Sequence, residues 1–459
     1  MELNKIKKVH LIGIGGAGVS AIARLFLSLG ASVSGSDVSA SNITKDLEAQ
    51  GVIFSKGQSS DNISDDTDLV VYTPALKEDN VELLEAKKRG IEVVAYPEAL
   101  GMLMEGHNSV AVSGTNGKTT TTALLGIILE EADKDPTVIL GGKVEKWNGN
   151  VHVGKGEIFL AEGCEYRRHM LNLHPKIIVL TNIEEDHLDY YKDIDDIKSA
   201  FREYVSGLSD DGVLVFNADD KNISNDIVCN TKALKVSFGL NEPVDLFAYN
   251  IVHQDGVQRF SLRWRGENIG EFESKLMGEF NLYNILAAVS TALVLGVDTE
   301  SLRTSIARLK APERRLEVVS EHDGKVVISD YAHHPTAVKG TIRAVKDVYK
   351  GKRVLAVFQP HQKDRTLKLF DEFVVSFDDA DEVILSEIFE VSGREEKGKD
   401  ISSRDLVKAI QKRNPELKIT YAKDLKETAE LIQKKKHDFD VVLLMGAGDV
   451  DTLRGVNNR

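Results

Sequence analysis

A short segment in the middle of the chain has the residue types of a phosphate-binding loop. Ser113-Gly-Thr-Asn-Gly-Lys-Thr-Thr120 lies between an apolar run, Val110–Val112, and a helix predicted to begin near Thr120. Backbone amides of such a loop bind phosphate oxygens, its lysine places a cation at the β- and γ-phosphates, and its threonine can ligate Mg²⁺. Val112 replaces the first glycine of a strict Walker A motif. A lysine among polar residues and glycines gains nothing from packing, so we predict an ATP site here.

A second glycine loop lies near the N-terminus. Gly13-Ile-Gly-Gly-Ala-Gly18 follows a strand-like run and opens a helix, and Asp37 ends the next strand-like run. Amides at the N-terminus of such a helix receive a diphosphate, which NAD(P) and a UDP-sugar both carry. An NAD-dependent dehydrogenase would use this loop but would leave the Lys118 loop without a role. Two phosphate loops favour a ligase or kinase that acts on a nucleotide-linked substrate.

Composition sets limits on the class of protein. With 459 residues, the chain is long enough for roughly two to four domains. Hydrophobic residues make up 42% and charged residues 28%, which excludes a disordered or multispan membrane protein. The net charge of −14 argues against general nucleic-acid binding, and two cysteines cannot form a disulfide framework. The N-terminal apolar run is too short for a secretory signal. We therefore expect a cytoplasmic protein without nucleic-acid or membrane partners, either monomeric or homodimeric.

The elements that must position these loops follow an α/β pattern. Strand-like runs alternate with helix-length amphipathic segments almost throughout, which predicts α/β units around parallel sheets. We predict an α/β protein of three domains, with linkers at residues 105–109 and 311–315. They are a Rossmann-like N-terminal domain (1–106), a central P-loop-type ATPase domain (107–312) and a Rossmann-like C-terminal domain (313–459). Alternating apolar residues after Asp255-Gly256 predict a small antiparallel patch within the central domain.

Five motifs occur in an order that resembles the Mur ligase family, and the resemblance covers essentially the whole chain. They are Gly13-Ile-Gly-Gly-Ala-Gly18, Gly114-Thr-Asn-Gly-Lys-Thr119, Thr181-Asn-Ile-Glu-Glu-Asp-His187, Asp330-Tyr-Ala-His-His-Pro335, and Gln359-Pro-His361 with Arg365-Thr366. The resemblance implies that the N-terminal domain binds a UDP-sugar and the central domain binds ATP. It also implies that the C-terminal domain closes over ATP and an amino acid.

The implied activity is ATP-dependent ligation of L-alanine to UDP-N-acetylmuramate through an acyl phosphate, in peptidoglycan and cell-wall synthesis. A family member that recycles a tripeptide onto UDP-N-acetylmuramate shares most of the motifs and stays an alternative. A non-catalytic nucleotide-binding or regulatory protein is a further alternative from another class.

The matched motifs imply four groups of site residues. The ATP-binding positions are Gly114, Thr115, Asn116, Gly117, Lys118, Thr119, Thr120, Asn281, Asn284, Arg314, Arg315 and Asp330. The substrate-binding positions are Gly13, Gly15, Gly16, Ala17, Gly18, Asp37, His333, His361 and Arg365. Thr119, Glu162 and His187 match the Mg²⁺ positions. Lys118, His187 and His334 are the candidates for the chemistry, with either histidine able to take the proton of the amine.

Three positions and one segment depart from the usual family pattern. Asn116 and Phe280 stand where histidine is common, and Gln362 stands where arginine is common. Glu162-Gly-Cys-Glu-Tyr166 replaces a more acidic run. None of these departures removes a group needed for phosphate or metal binding.

Overall fold

Three sheets organise the computed structural model, which describes residues 6–188, 190–254, 257–322, 324–390 and 401–458. Each sheet carries its own helices, so the predicted α/β class with three units is confirmed. The predicted boundaries near 106 and 312 fall in connections between elements, after a helix that ends at Met104 and one that ends at Arg308. The hairpin turn predicted at Asp255-Gly256 lies outside the described residues.

The N-terminal unit is a five-stranded parallel sheet in the order β3-β2-β1-β4-β5. Its elements are β1 (Lys8–Ile12), α1 (Ala17–Ser28), β2 (Ser32–Asp37), α2 (Asn42–Ala49), β3 (Ile53–Lys56), a 3₁₀ turn (Ser60–Asn62), β4 (Leu69–Tyr72), α3 (Val81–Lys88), β5 (Glu92–Ala95) and α4 (Tyr96–Met104). The sheet order places the glycine loop after the central strand β1, where ligand loops of such sheets lie.

The central unit is a ten-stranded mixed sheet in the order β15-β14-β13-β12-β11-β10-β6-β9-β7-β8. Its first elements are β6 (Asn108–Ser113), α5 (Lys118–Glu131), β7 (Thr137–Val144), β8 (Gly149–His152), β9 (Ile158–Gly163), β10 (Ile177–Leu180), α6 (Ile194–Ser206), β11 (Val213–Asn217) and α7 (Asn225–Val228). They are followed by β12 (Leu234–Gly239), β13 (Leu246–Gln254), β14 (Val257–Trp264), β15 (Glu267–Ser274), α8 (Glu279–Val294) and α9 (Thr299–Arg308), and 3₁₀ turns cover Glu145–Trp147 and Tyr166–Asn172.

The antiparallel strands β13–β15 extend the central sheet. Phe238 and Gly239 of β12 pair in parallel with Leu246 and Phe247 of β13, which makes the sheet continuous. The predicted patch is therefore present as one end of a larger sheet.

Helix α5 is buried along almost its entire length. Thr119 to Leu129 are all buried, and the helix packs against α8, α9 and the strands β7 and β9. Its second half, Ala123 to Leu129, is apolar on every side, as a helix in a protein interior requires. The helix begins at Lys118, two residues before the predicted start, so the lysine is its first residue.

The C-terminal unit is a six-stranded sheet in the order β16-β17-β21-β18-β19-β20, in which only the pair β16–β17 is antiparallel among the described strands. Its elements are β16 (Glu317–His322), β17 (Lys325–Asp330), α10 (Pro335–Val348), β18 (Val354–Phe358), α11 (Lys363–Lys368), α12 (Phe370–Val374), β19 (Glu382–Ser386), α13 (Ser403–Arg413), β20 (Lys418–Ala422), α14 (Leu425–Lys435), β21 (Val441–Met445) and a 3₁₀ segment (Asp449–Asn458). Within the described residues, none of the helices is both long and apolar enough to cross a membrane.

A contact from the central unit reaches the first turn of α1. Asn150 on β8 donates from Nδ2 to the carbonyl of Ala17 at 2.8 Å, and its Oδ1 accepts from Arg24 at 3.2 Å. The hairpin β7–β8 thereby joins the central sheet to the helix that follows the N-terminal glycine loop.

Replacing Phe377 tests the packing of the C-terminal unit. Its ring is fully buried and lies 5.5 Å from that of Phe358 on β18. We expect Phe377→Ala to lower the free energy of opening of this unit by about 3–5 kcal/mol, because it leaves a cavity in a packed core. Hydrogen exchange of the β18 and β19 amides measures this. Leu367→Ala, at a position 39% exposed, is the control, and unchanged exchange in Phe377→Ala would contradict the packing described.

Candidate active site

The central phosphate loop depends on two glycines in left-handed conformations. Gly114 has φ 138° and Gly117 has φ 84°. A β-carbon would lie 2.2 Å from Thr181 Oγ1 at Gly114 and 2.2 Å from Asn284 Oδ1 at Gly117. Only glycine meets both the conformational and the steric demand.

Lys118 is held at the centre of this loop. Its Nζ lies 2.8 Å from Glu165 Oε2 and donates to the carbonyl oxygens of Gly114 and, at 2.9 Å, Thr115. Burial alone would lower the pKa of Lys118, but the charges of Glu165 and Glu162 outweigh burial and raise it. The lysine is therefore a fixed cation.

Glu165 was not among the predicted site residues, although it lies within the segment that departs from the family pattern. Its carboxylate is buried, with one oxygen beside Lys118 and the other 3.5 Å from His187 Nε2. Burial would raise the pKa of Glu165, but the charges of Lys118 and His187 hold it below its usual value. The His187 ring also lies 4.7 Å from that of Tyr166. Glu165 thus connects the predicted lysine and histidine.

Thr119 and Glu162 fit a Mg²⁺ ion in the chemistry of their donors. A hydroxyl and a carboxylate are the hard oxygen ligands that Mg²⁺ prefers. They flank two glycines of β7: Glu162 Oε1 accepts from the amide of Gly141 at 2.6 Å, and a β-carbon at Gly142 would lie 2.7 Å from the Thr119 methyl group. In the described part of the chain, no three or more His, Cys, Asp or Glu side chains are grouped to hold a metal. Mg²⁺ commonly takes its other ligands from phosphates and water.

Of the two predicted adenine-contacting asparagines, Asn284 joins α8 to the start of α5. Asn284 Nδ2 donates to Asn281 Oδ1 at 3.0 Å, and Asn281 donates to the carbonyl of Met277 at 2.8 Å. Asn284 Oδ1 also accepts from Thr121 at 3.3 Å. Both amides therefore have structural partners, and Asn284 connects the pair to α5.

The segment after β10 closes the loop from the other side. Asn182 Oδ1 accepts from the amide of Asn116 at 2.8 Å, and its Nδ2 donates to the carbonyl of Asn116 at 2.9 Å. The Asn116 side chain donates to Glu184 at 3.2 Å. The carboxylate of Glu184 thus provides a hydrogen-bond acceptor for the asparagine side chain at position 116.

Arg314 and Arg315 lie in the linker of residues 311–315, the hinge between the central and C-terminal units, and have different environments. Arg315 Nη2 lies 3.5 Å from Thr119 Oγ1, so it reaches the phosphate loop. Arg314 donates to the carbonyl oxygens of Gly446 and Gly448 in the C-terminal unit. The structure therefore places Arg315, rather than Arg314, where it could meet phosphates.

Asp330 also supports the hinge. One carboxylate oxygen accepts from the amide of Leu316 at 2.6 Å, and the other accepts from the amide of Ala332 at 2.8 Å and from Thr341 at 3.2 Å. Burial raises the pKa of Asp330, against the opposing charge of Arg315. These contacts tie the hinge to the loop that carries the two histidines.

Arg365 makes a buried ion pair across two units. Its Nη2 lies 3.0 Å from Asp186 Oδ1, and its Nη1 lies 3.5 Å from His361 Nδ1. Burial would raise the pKa of Asp186, but Arg365 and the neighbouring histidines hold it well below its usual range. Asp186 was not a predicted site residue; the only sequence signal is its place before His187 in a matched motif. A pocket between the units is lined by Asp186, His187, Leu188, Gln362, Asp364, Arg365, Lys368 and Leu369.

The paired histidines of the C-terminal loop are largely buried. The His333 ring lies 6.1 Å from that of His361, and its Nδ1 is 2.9 Å from the carbonyl of Tyr331. His334 Nδ1 lies 4.0 Å from Glu184 Oε2, and burial lowers the pKa of His334.

Phe280, another departure from the family pattern, faces Gly340 of α10, where a β-carbon would lie 3.7 Å from its ring.

The N-terminal glycine loop forms a separate site. The amide of Gly15 donates to Asp37 Oδ2 at 2.9 Å, and the amides of Gly13 and Ile14 donate to the carbonyl of Ser36. Gly16 is the N-cap of α1, so the first amides of the helix follow at once. Across the described residues, no hydrogen bond or ion pair joins this loop to the central loop.

A phosphate loop in a middle unit, with an arginine that reaches it from the hinge, is typical of an enzyme that uses a nucleoside triphosphate. Models of three family domains match the chain in succession. They are the Mur ligase family catalytic domain over residues 8–108, the Mur ligase middle domain over 112–292, and the Mur ligase glutamate ligase domain over 314–448. The chain belongs to the Mur ligase family and is a ligase.

Relatives and solved structures agree with this result. The chain is 39% identical to a UDP-N-acetylmuramate–L-alanine ligase of Caldanaerobacter subterraneus, covering 98% of this chain and 97% of that one. It is 42% identical to the ligase of the same name from Clostridium kluyveri, covering 97% and 96%. The crystal structure of the UDP-N-acetylmuramate-alanine ligase of Thermotoga maritima superposes with a TM-score of 0.81 at 26% identity, covering 97% of each chain.

We expect His333 to stay neutral far below the usual range of histidine. Burial and the charge of Arg365 lower the pKa of His333 to about 3. Because the unfolded chain takes up this proton near pH 6.5, the stability of the folded protein falls as the pH drops from 6.5 toward 3. Nitrogen-15 NMR of labelled histidine, assigned with His333→Gln, measures the protonation, and a midpoint near 6.5 would contradict the expectation.

Proposed function

We propose that this protein joins L-alanine to UDP-N-acetylmuramate in an ATP-dependent reaction that yields UDP-N-acetylmuramoyl-L-alanine, ADP and phosphate. The names of relatives 39% and 42% identical over nearly the full chain support this choice of substrates. The product would serve peptidoglycan synthesis. A reaction that uses ATP and a UDP-linked precursor supports a cytoplasmic location.

The observation that carries the proposal is that three cations from different elements lie in the phosphate loop or against it and the segment after β10, which contacts the loop. Lys118 lies in the loop, Arg315 reaches Thr119 from the hinge, and Arg365 reaches Asp186 from the C-terminal unit. Transfer of a phosphoryl group accumulates negative charge that such fixed cations stabilise. The closing of a third domain would also exclude water from a reactive intermediate.

The proposed reaction has two steps. The lactyl carboxylate of UDP-N-acetylmuramate attacks the γ-phosphorus of ATP, which forms an acyl phosphate and releases ADP. The neutral amine of L-alanine then attacks the carbonyl carbon, and inorganic phosphate leaves. Lys118 and Arg315 would hold the transferring phosphoryl group. His187 and His334 remain the two candidates for accepting the proton of the amine.

Mg²⁺ would neutralise charge on the phosphates when bound, and we propose that Thr119 and Glu162 hold it. His187 stays a proposed third ligand, although Glu165 already lies against its Nε2.

Asn281 and Asn284 remain proposed adenine contacts, and the amides at the start of α1 remain the proposed diphosphate site. We propose that Arg365, His361 and His333 contact the muramoyl substrate.

A substrate matrix tests the proposal. Phosphate release should require ATP, Mg²⁺, UDP-N-acetylmuramate and L-alanine together, because the acyl phosphate forms only on the muramoyl carboxylate and turns over only with the amine. The matrix replaces L-alanine by L-serine, glycine or the L-alanyl-γ-D-glutamyl-diamino-acid tripeptide. Turnover with the tripeptide but not with L-alanine would show a recycling ligase instead. Reduction of NAD without ATP would contradict the whole proposal.

We expect Lys118→Ala to lower kcat by about 10²- to 10⁴-fold, because a fixed cation at the transferring phosphoryl group is removed. Steady-state phosphate release at saturating substrates measures the loss. Lys232→Ala is the matched control, since the side chain of Lys232 is 84% exposed in the same unit. A kcat of Lys118→Ala equal to that of the control would exclude the loop as the phosphoryl-transfer site.

A further inference from the structure

A fully buried carboxylate lies in the N-terminal unit, away from the central loop. Glu82 is in the first turn of α3, and its relative exposure is 0%. Burying an ionised carboxylate is unfavourable unless hydrogen bonds and an opposite charge compensate it. If this helix position contributed packing alone, a buried apolar side chain would stabilise the fold more than a carboxylate.

The carboxylate has a complete set of partners. The hydroxyl of Ser36 donates to Oε2, and the Asn62 side chain and the Ser59 amide (3.2 Å) donate to Oε1. His10 Nε2 lies 3.6 Å from Oε2, and His10 is 1% exposed. Burial would raise the pKa of Glu82, but His10 and the hydrogen bonds outweigh burial and lower it. The group is therefore an ionised acceptor inside the domain.

These partners converge on the edge of the sheet that carries the glycine loop. Ser36 connects the two directly, because its hydroxyl donates to Glu82 while its carbonyl accepts from the amides of Gly13 and Ile14. The segment of residues 57–62 follows β3 at the same edge. It is held there by Glu82 and by Asn80, whose amide donates to Gln58.

We infer that Glu82 is a positioning residue for the nucleotide-sugar site. By fixing Ser36 and residues 57–62, it holds the glycine loop and the neighbouring loop in the arrangement that receives the diphosphate and the nucleoside. The inference rests on the proposed function in one respect, namely that the UDP group binds in the N-terminal unit. Glu82 itself touches no substrate, because it lies beneath the loops.

The test is Glu82→Gln, which keeps the size of the side chain but replaces one acceptor oxygen by an amide that faces other donors. We expect the Kd of UDP, measured by calorimetry on the full chain, to rise about tenfold or more, which corresponds to about 1.4 kcal/mol. The KM of UDP-N-acetylmuramate should rise in parallel, while kcat and the KM values of ATP and L-alanine stay within about twofold of wild type. A higher KM for UDP-N-acetylmuramate with unchanged kcat and unchanged KM values for ATP and L-alanine distinguishes a positioning role from general destabilisation of the fold.

The matched control is Glu85→Gln on the same helix. Glu85 pairs with Lys88 and Arg89 on the surface and has no contact with the Ser36 network. Its UDP affinity should equal that of wild type. If Glu82→Gln does not fold, Ser36→Ala removes a single hydrogen bond of the network and should still raise the Kd of UDP about threefold or more.

Two results would overturn the inference. One is a Kd of UDP in the folded variant equal to that of Glu85→Gln. The other is an equal rise of all three KM values, which would show that Glu82 only supports the fold. Failure of the wild-type protein to bind UDP would instead reject the proposed nucleotide-sugar site, on which the inference depends.

Discussion

A cation and a carboxylate, both withdrawn from water, face each other at the centre of the molecule. Lys118 follows β6 and Glu165 follows β9, and these strands are hydrogen-bonded neighbours, so the sheet itself fixes the distance between the two charges. Removing either partner would leave an uncompensated buried charge, which is far more costly than losing a surface pair. A triphosphate carries charge of the same sign as Glu165. The loop is therefore already organised around an anion before a nucleotide arrives.

The other cations of the site depend on contacts between units. Arg315 comes from the hinge, whose backbone is tied down by Asp330, and Arg314 binds carbonyl oxygens of the C-terminal unit. Arg365 comes from α11 and is neutralised by Asp186. The packing of the third unit against the second thus places Arg365 beside a carboxylate of the segment after β10, which balances its charge. The burial of His333 in its neutral form avoids adding another cation beside Arg365.

The sequence alone identifies the glycine loops but not the side chains that pair around them, and the reason is physical. Glycines at 114 and 117 are local requirements of a tight loop, so the segment is recognisable by itself. Asp186 and Arg365 are 179 residues apart, and their pairing exists only after two units pack together. Glu165 was missed because its significance depends on the neighbouring strand β6. The antiparallel strands were predicted, but their continuity with the central sheet depends on the β12–β13 pairing.

Each of the two glycine loops is held by a hydrogen bond to a side chain, and the two side chains differ in charge. In each, a side chain at or just beyond the end of the neighbouring strand accepts a hydrogen bond from a loop amide: Asp37 at the end of β2 holds Gly15, and Asn182 after β10 holds Asn116. The acceptor at the central loop is a neutral amide, whereas the acceptor at the N-terminal loop is a carboxylate. A carboxylate in this position suits the hydroxyl groups of a ribose. The two loops therefore share one form of support and differ in the charge of the group that provides it.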